Sequence, residues 1–413
     1  MVGGMRLRLG RASDKALKQK RLSDATRCIH AGEERHGKKA PLTTPIAQTS
    51  VFILPEFEEL RRYAEGKSDA YLYTRYGNPT TAVAERKLAA LEGAGDPDIG
   101  CVVTASGQTA CLITVLACCE AGDEVVSMLD IYGGTLKLFE NVLPRFGIRV
   151  RLVPYEELGR LDDFFNRHTR LLFLETPANP TLRCVDLAAL AAVAKRRKVP
   201  VAVDNTFATP ILQKPLHLGA DIVIHSATKY LGGHSDLTAG AIVAARPWID
   251  SARNMKILSG GLLDPLASYF LIRGLKTLQL RVERACLNTH TIVEALRGHA
   301  KLERVLYPGL QQNQGYEAAR SQMRDFGMML SIDLKGGERS ARKFIDALEL
   351  WYLAASLGGV ESTVSYPLLS SHVGFDRKRL KLMDVTSGLV RLSVGIESAD
   401  DLIADLEHAL ARA

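Results

Sequence analysis

From about residue 99 to residue 245, short apolar runs alternate with longer stretches whose apolar residues recur at helical spacing. This is the pattern of parallel strands joined by crossover helices. The runs fall at 99–104, 124–128, 149–153, 171–174, 200–203, 221–224 and 241–244. Each is continuous instead of alternating, as strands covered on both faces should be. Between the fourth and fifth, Asp186 stands before Leu187, Leu190, Ala191 and Ala194, an N-cap followed by one apolar helical face. Past residue 270 the pattern changes to longer helical stretches at 285–296, 340–348 and 399–411, with few strands between them. A chain of 413 residues also exceeds the size at which one core stops growing. The reading is an α/β domain with a mostly parallel central sheet, followed by a smaller α+β domain from residue 271.

Composition changes this picture little. At 46% hydrophobic and 24% charged residues the chain sits with folded, water-soluble proteins. The net charge of +7 is localised, because residues 1–22 carry seven Lys or Arg against Asp14 alone. That segment reads as a basic, solvated, disordered tail. With the remainder close to neutral, neither nucleic acid nor membrane is an expected partner. No apolar run approaches the ~18 residues a membrane helix needs, and the tail lacks the apolar core of a secretory signal, which leaves the cytoplasm as the default location. The seven cysteines are odd in number, form no C-x-x-C and mostly sit in apolar segments, so buried free thiols are expected. Histidine and cysteine spacing offers no metal site.

Neither G-x-G-x-x-G nor G-x-x-x-x-G-K-[ST] occurs, so the chemistry must be read elsewhere. In open α/β sheets the ligand crevice lies beyond the carboxyl ends of the strands. There the run 99–104 leads to Ser106-Gly107-Gln108, and the run 171–174 to Glu175-Thr-Pro-Ala-Asn179. The run 200–203 leads to Asp204-Asn-Thr206, and 221–224 to Ser226-Ala-Thr228-Lys229. Gly107 and Gln108 open a helical stretch whose free amides suit a phosphate, and the Ser226 and Thr228 hydroxyls add donors. Asp204 ends a strand of small residues, where a carboxylate needs a cationic partner such as a pyridinium nitrogen. Lys229 lies where an amine can form a Schiff base with an aldehyde held by that phosphate grip. Together these are the parts of a pyridoxal 5'-phosphate site.

The segments Tyr73-Thr-Arg75-Tyr-Gly-Asn-Pro-Thr80, Tyr132-Gly-Gly-Thr135, Glu175 to Thr181, Val203 to Thr206, Ser226 to Tyr230 and Ser356 to Ser362 strongly resemble the Cys/Met-metabolism pyridoxal-phosphate enzymes. That family includes cystathionine γ-lyases, cystathionine γ-synthases and methionine γ-lyases. The resemblance covers about residues 25–413 and implies the fold type I (aminotransferase-like) architecture. It implies a 23–70 N-terminal arm, a cofactor-binding domain over 71–270 and a small domain over 271–413. It makes Lys229 the Schiff-base lysine, Asp204 the partner of the pyridine nitrogen and Tyr132 the ring that stacks on the cofactor. Asn179 would contact the ring hydroxyl. Ser106, Gly107, Gln108, Thr206, Ser226 and Thr228 would complete the cofactor shell. Tyr73 and Arg75 would arrive from a neighbouring subunit, in a homotetramer built as a dimer of dimers with shared active sites. Arg391 would bind the substrate carboxylate through its planar fork, with Ser356 and Leu357 beside it.

The resemblance implies γ-elimination on cystathionine, homocysteine or methionine, releasing 2-oxobutanoate, ammonia and a thiol. The alternative is γ-replacement on an O-acylated homoserine by cysteine, sulfide or another nucleophile. A non-catalytic partner protein on the same fold is the remote third. Several letters depart from the family's patterns. Ala355 stands where cystathionine-specific relatives commonly have Glu, and Gly134 where bacterial methionine γ-lyases have Cys. Lys137 stands where several cystathionine enzymes have Arg. Gln108 replaces the usual apolar residue, and Tyr366 to His372 departs from the common loop.

Overall fold

The computed structural model describes residues 22–33 and 40–413. The basic tail at 1–22 therefore lies outside the described residues except for Leu22.

Seven strands form the central sheet: β1 (Ile99–Thr104), β2 (Glu124–Met128), β3 (Arg149–Val153), β4 (Thr169–Glu175), β5 (Val201–Asp204), β6 (Ile222–Ser226) and β7 (Gly240–Ala245). Their order is β1-β7-β6-β5-β4-β2-β3. The runs read as continuously apolar because both faces are covered. On β1, β6 and β7 the alternate residues Val102, Ile222, Ile224, Ile242 and Ala244 enter one core with the helices Gly107–Cys118 and Leu187–Arg196. The interleaved Cys101, Val103, Val223, Ala241 and Val243 enter a second core with the helices Pro79–Glu92 and Pro265–Lys276. Asp186 caps its helix as expected, accepting from the Ala189 N–H at 2.9 Å.

One expectation fails for β7, which pairs antiparallel with both β1 and β6. Parallel neighbours need a crossover, usually helical. The segment from 227 to 239 contains turns and no helix, so the chain turns back directly beside β6.

A second sheet follows, in the order β10-β11-β12-β9-β8. Its strands are β8 (Leu302–Leu306), β9 (Met329–Leu334), β10 (Tyr352–Leu353), β11 (Thr363–Ser365) and β12 (Leu389–Ser393). The helices Glu338–Ala347 and Ala399–Arg412 cover it, with Ala341, Phe344, Leu402, Leu406 and Leu410 in a third core. One helix, Leu278–Leu296, serves two cores. Its first half buries Leu278, Val282 and Cys286 in the second core, and its last turns bury Ile292, Val293 and Leu296 in the third.

The N-terminal helix Asp24–His30 is tied down by Lys87, which is fully buried and donates to the Cys28 and Ile29 carbonyls at 2.9 and 3.0 Å. After it, Leu42, Val51, Ile53 and Phe57 expose their side chains, an apolar density that lone monomer surfaces seldom carry. Six cysteines are buried, Cys118 is half-buried, and all seven are free thiols.

Candidate active site

The ends of β4, β5 and β6 lie side by side. Glu175 is in register with Asp204, and Asp204 with Ile224. Asp204 Oδ1 accepts from the Thr206 N–H at 3.0 Å and from the Thr206 hydroxyl. That hydroxyl also accepts from the Ser226 N–H at 2.8 Å, so one side chain joins two strand ends. Burial pushes the Asp204 carboxyl up, against the lowering influence of Thr206, His225 and Lys229. Glu175 is held well above the usual carboxylate range by burial and by the Asp204 charge. Its Oε2 accepts from the Tyr132 N–H at 2.8 Å.

Ser106 caps the helix Gly107–Cys118 by accepting from the Thr109 N–H at 3.1 Å. The first amides of that helix have no intrahelical acceptor. A Cβ on residue 107 would lie 2.8 to 3.0 Å from Ser226 Cβ, Cα and Oγ, so glycine alone allows the helix to start against the end of β6. Gln108 turns aside and donates to Thr135 Oγ1 at 3.0 Å. The Thr228 hydroxyl accepts from the Ala239 N–H at 2.9 Å and donates to the Ala239 carbonyl at 3.2 Å, bracing the return loop toward β7.

Lys229 follows β6 and donates from Nζ to Ser356 Oγ at 2.6 Å. Burial first, then the Arg391 charge, lowers its amine to about 8, with Asp204 opposing. Ser356 has φ 84°, a left-handed conformation that a non-glycine residue holds only when its surroundings impose it. Those surroundings include Arg391 on β12, which donates to the Ser356 carbonyl and to Asn179 Oδ1, both at 2.8 Å. Arg391 is only 7% exposed, and burial lowers it to about 10, which leaves it charged at neutral pH. Among the described residues its Nε has no partner. Leu357 is buried beside this chain of contacts. His372 lies near enough to feel the same charge: burial and then Arg391 lower it to about 4, so its ring is neutral. Tyr132 is 45% exposed and its ring lies over Gly134, where a Cβ would meet it.

The structure thus gathers Lys229, Asp204, Thr206, Ser226, Asn179, Ser356 and Arg391 from both sheets. It leaves Tyr73 and Arg75 apart from that group. Tyr73 bridges to Val51, and Arg75 donates to the Ile257 carbonyl at 3.2 Å with its guanidinium over the Tyr76 and Tyr73 rings.

The model of the family described as Cys/Met metabolism PLP-dependent enzyme matches residues 25–411. The chain belongs to that family. It is 43% identical to an L-methionine gamma-lyase of Fusobacterium nucleatum subsp. nucleatum over 397 residues, covering 95% of this chain and 99% of the relative. A crystal structure of a cystathionine gamma synthase from Xanthomonas oryzae pv. oryzae, in complex with cystathionine, matches with TM-score 0.88 at 37% identity, covering 95% of this chain and 98% of that one. A cystathionine gamma-lyase from Lactobacillus plantarum matches with TM-score 0.87 at 36% identity, covering 95% and 99%.

As a member of this family the protein is an enzyme that uses pyridoxal phosphate. Its residues fit that group. The helix that Gly107 opens starts against Ser226 at the end of β6, and its first amides have no intrahelical acceptor. Asp204 is a buried carboxylate whose only hydrogen-bonding neighbour among the described residues is Thr206. The Cys/Met-metabolism reading also puts a missed residue in view. Glu175 ends its apolar run as Asp204 does, and the same signal, a carboxylate closing a doubly buried strand, could have marked it. Among the described residues no helix is long and apolar enough to cross a membrane.

Proposed function

We propose that the enzyme catalyses γ-elimination on a sulfur amino acid, with cystathionine, homocysteine and methionine as candidates, yielding 2-oxobutanoate, ammonia and a thiol. The observation that carries this reading is the continuous link from Arg391 through Ser356 to Lys229. It sets a carboxylate anchor and an amine at a fixed separation. The likeness to a methionine gamma-lyase supports it.

Bound pyridoxal phosphate supplies an electron sink that lets the bonds next to the substrate nitrogen ionise. Asp204 would hold the ring nitrogen, Asn179 the ring hydroxyl and Tyr132 the ring face. The Gly107 and Gln108 amides would hold the phosphate, with Ser226 and Thr228, while Ser106 and Thr206 fix the strand ends around them. Arg391 binds the substrate carboxylate through its fork. Its Nε, which has no partner among the described residues, is free to donate to that carboxylate, while the Ser356 carbonyl holds the guanidinium in place and Leu357 excludes water. Lys229 carries the protons from the α- and β-carbons. With its amine lowered to about 8, a usable fraction is free base near neutral pH. The Tyr132 hydroxyl, on the open side, donates the proton that the departing sulfur needs.

γ-Replacement on an O-acylated homoserine is the second reading, favoured by the likeness to a cystathionine gamma synthase. One screen separates the two. Purified enzyme is given each thioether or acyl homoserine with and without cysteine or sulfide, and keto acid and new thioether are read by mass spectrometry. No 2-oxobutanoate from any substrate would sink the elimination reading, and turnover only with added nucleophile would establish replacement.

The same reading makes the enzyme a cytoplasmic homotetramer, a dimer of dimers, in which the neighbour's Tyr73 and Arg75 complete each site. The exposed apolar arm around Val51, Ile53 and Phe57 supports it, as does the separation of Arg75 from the Lys229 group. Mixing inactive Lys229→Ala and Arg75→Ala proteins under exchange conditions should restore activity. Failure of rescue, with mixed oligomers confirmed by mass, would refute the shared site.

A further inference from the structure

A cavity of about 430 Å³ lies where the two domains meet, and none of the Lys229 group lines it. That is the size of a small-molecule site. Its inner wall comes from the segment that follows β4, where Thr181 and Arg183 are buried. The Thr181 hydroxyl has no hydrogen-bond partner among the described residues, a costly state for a buried polar group. The outer wall comes from the second domain: Arg297 just past the helix Leu278–Leu296, Glu303 on β8, and Gln312 and Gln314 in the loop after β8. Arg183 is engaged with Asp130, and its neighbour Arg304 with Asp333 and Asp384. The rim is not engaged in this way. Arg297 has one ion pair among the described residues, to Glu294 at 3.9 Å, and both partners are exposed, so the pair is weak. Among the described residues the side chains of Glu303, Gln312 and Gln314 have no ion pair or hydrogen bond. One cavity is thus bordered by an unspent guanidinium, an unspent carboxylate and two free amides.

We propose that this cavity is an effector site for a free α-amino acid, with Arg297 taking its carboxylate, Glu303 its ammonium, and the glutamine amides lying beside them. A ligand with one charge would match only one of the two unspent rim groups, and a zwitterion matches both. The inner wall leads directly to the active site. The Ala178 N–H donates to the Arg183 carbonyl at 2.9 Å and the Leu182 N–H to the Ala178 carbonyl at 2.7 Å, which closes 178–183 into one tight loop. That loop carries Asn179, whose Oδ1 accepts from Arg391. The outer wall grips the same loop, because Asn313 Nδ2 donates to the Leu182 carbonyl at 3.1 Å and the Cys184 N–H to the Gln314 carbonyl at 3.2 Å. A ligand that joins the two walls therefore acts on the setting of Arg391. The coupling rests on Arg391 as the carboxylate anchor proposed above; the binding does not.

Calorimetry on the full-length holoenzyme tests the binding. Borohydride first reduces the imine at Lys229, which bars an added amino acid from the cofactor. Alanine, methionine and glutamine are then titrated singly, beside N-acetylalanine and alanine methyl ester, which each lack one charge. The zwitterions should bind, and the one-charge probes about tenfold more weakly or less. Arg297→Gln and Glu303→Gln sit at exposed positions where the fold is not at risk, and each should weaken the zwitterions by a similar factor. No heat with any of the three amino acids, or unchanged affinity in both variants, overturns the site. Coupling is read on unreduced enzyme as the change in substrate KM with added alanine. Alanine competes at Lys229 in wild type and variants alike, so the difference between them reports the cavity. At saturating alanine the wild-type and Arg297→Gln values should differ by at least about fivefold, and identical values overturn the coupling. Unaltered kcat/KM in Arg391→Lys would instead remove the anchor, and the coupling with it, while the calorimetric result stands.

Discussion

Replacing Gly107 with alanine tests the phosphate grip with a single methyl group. The added carbon would sit 2.8 Å from Ser226 Cβ, 2.9 Å from its Cα and 3.0 Å from its Oγ. Two of these atoms belong to a side chain at the end of a buried strand and one is backbone, so no flexible tip can swing away. Relief has to come from the helix start retreating from β6. Overpacking of this kind costs about 1–3 kcal/mol. Without cofactor the helix start can shift and release much of that strain. With cofactor the first amides and the Ser226 hydroxyl must converge on one phosphate, and the strain returns. Cofactor affinity should therefore fall by a factor of about 5 to 150, while turnover at saturating pyridoxal phosphate changes little. The assay is titration of cofactor-free enzyme, followed by absorbance of the bound chromophore and by keto-acid release. An unchanged dissociation constant would show that the phosphate does not use the space between Gly107 and Ser226.

Arg391→Lys keeps the charge and loses the fork. A penalty of about 3 kcal/mol, on the order of a hundredfold in kcat/KM, is expected with the cofactor spectrum retained; wild-type kcat/KM would remove Arg391 from the carboxylate site. Thr206→Val deletes the acceptor for the Ser226 N–H and the donor to Asp204, and should cost about 1–3 kcal/mol. Thermal melts should show the loss, and Thr206→Ser should recover it. In cofactor-free enzyme the reactive form of Lys229 is the neutral amine. Its rate of capture by pyridoxal phosphate should therefore rise with pH through a midpoint of about 8, well below an ordinary lysine. A midpoint near the ordinary lysine value would mean that the site is wetter than its burial indicates.

The central strands were legible because burial on both faces leaves an uninterrupted apolar signature, and the runs at 99–104, 124–128 and 149–153 coincide with β1 to β3. Strand direction carries no such signature. The letters of β7 resemble those of its neighbours, and only the helix-free return from β6 reverses it. At the site, Asp204, Ser226 and Lys229 could be found because each closes or follows an apolar run. Contacts made by distant segments left no local trace. Arg391 meets Asn179 across a separation of 212 residues, and His225 meets Glu92 across 133. The fully buried Glu92 ends an ordinary-looking helix, and nothing in its neighbours announces a partner on β6. Gln108 also looked different in sequence. It read as part of the cofactor shell, and while its amide remains available, its side chain is engaged with Thr135.

The helix Leu278–Leu296 crosses from the core that backs Lys229 to the core that backs Arg391. One rigid element therefore ties the packing behind the amine to the packing behind the guanidinium. It also follows that the two sheets are poor candidates for separate expression, since a cut at their junction would strip each core of one wall.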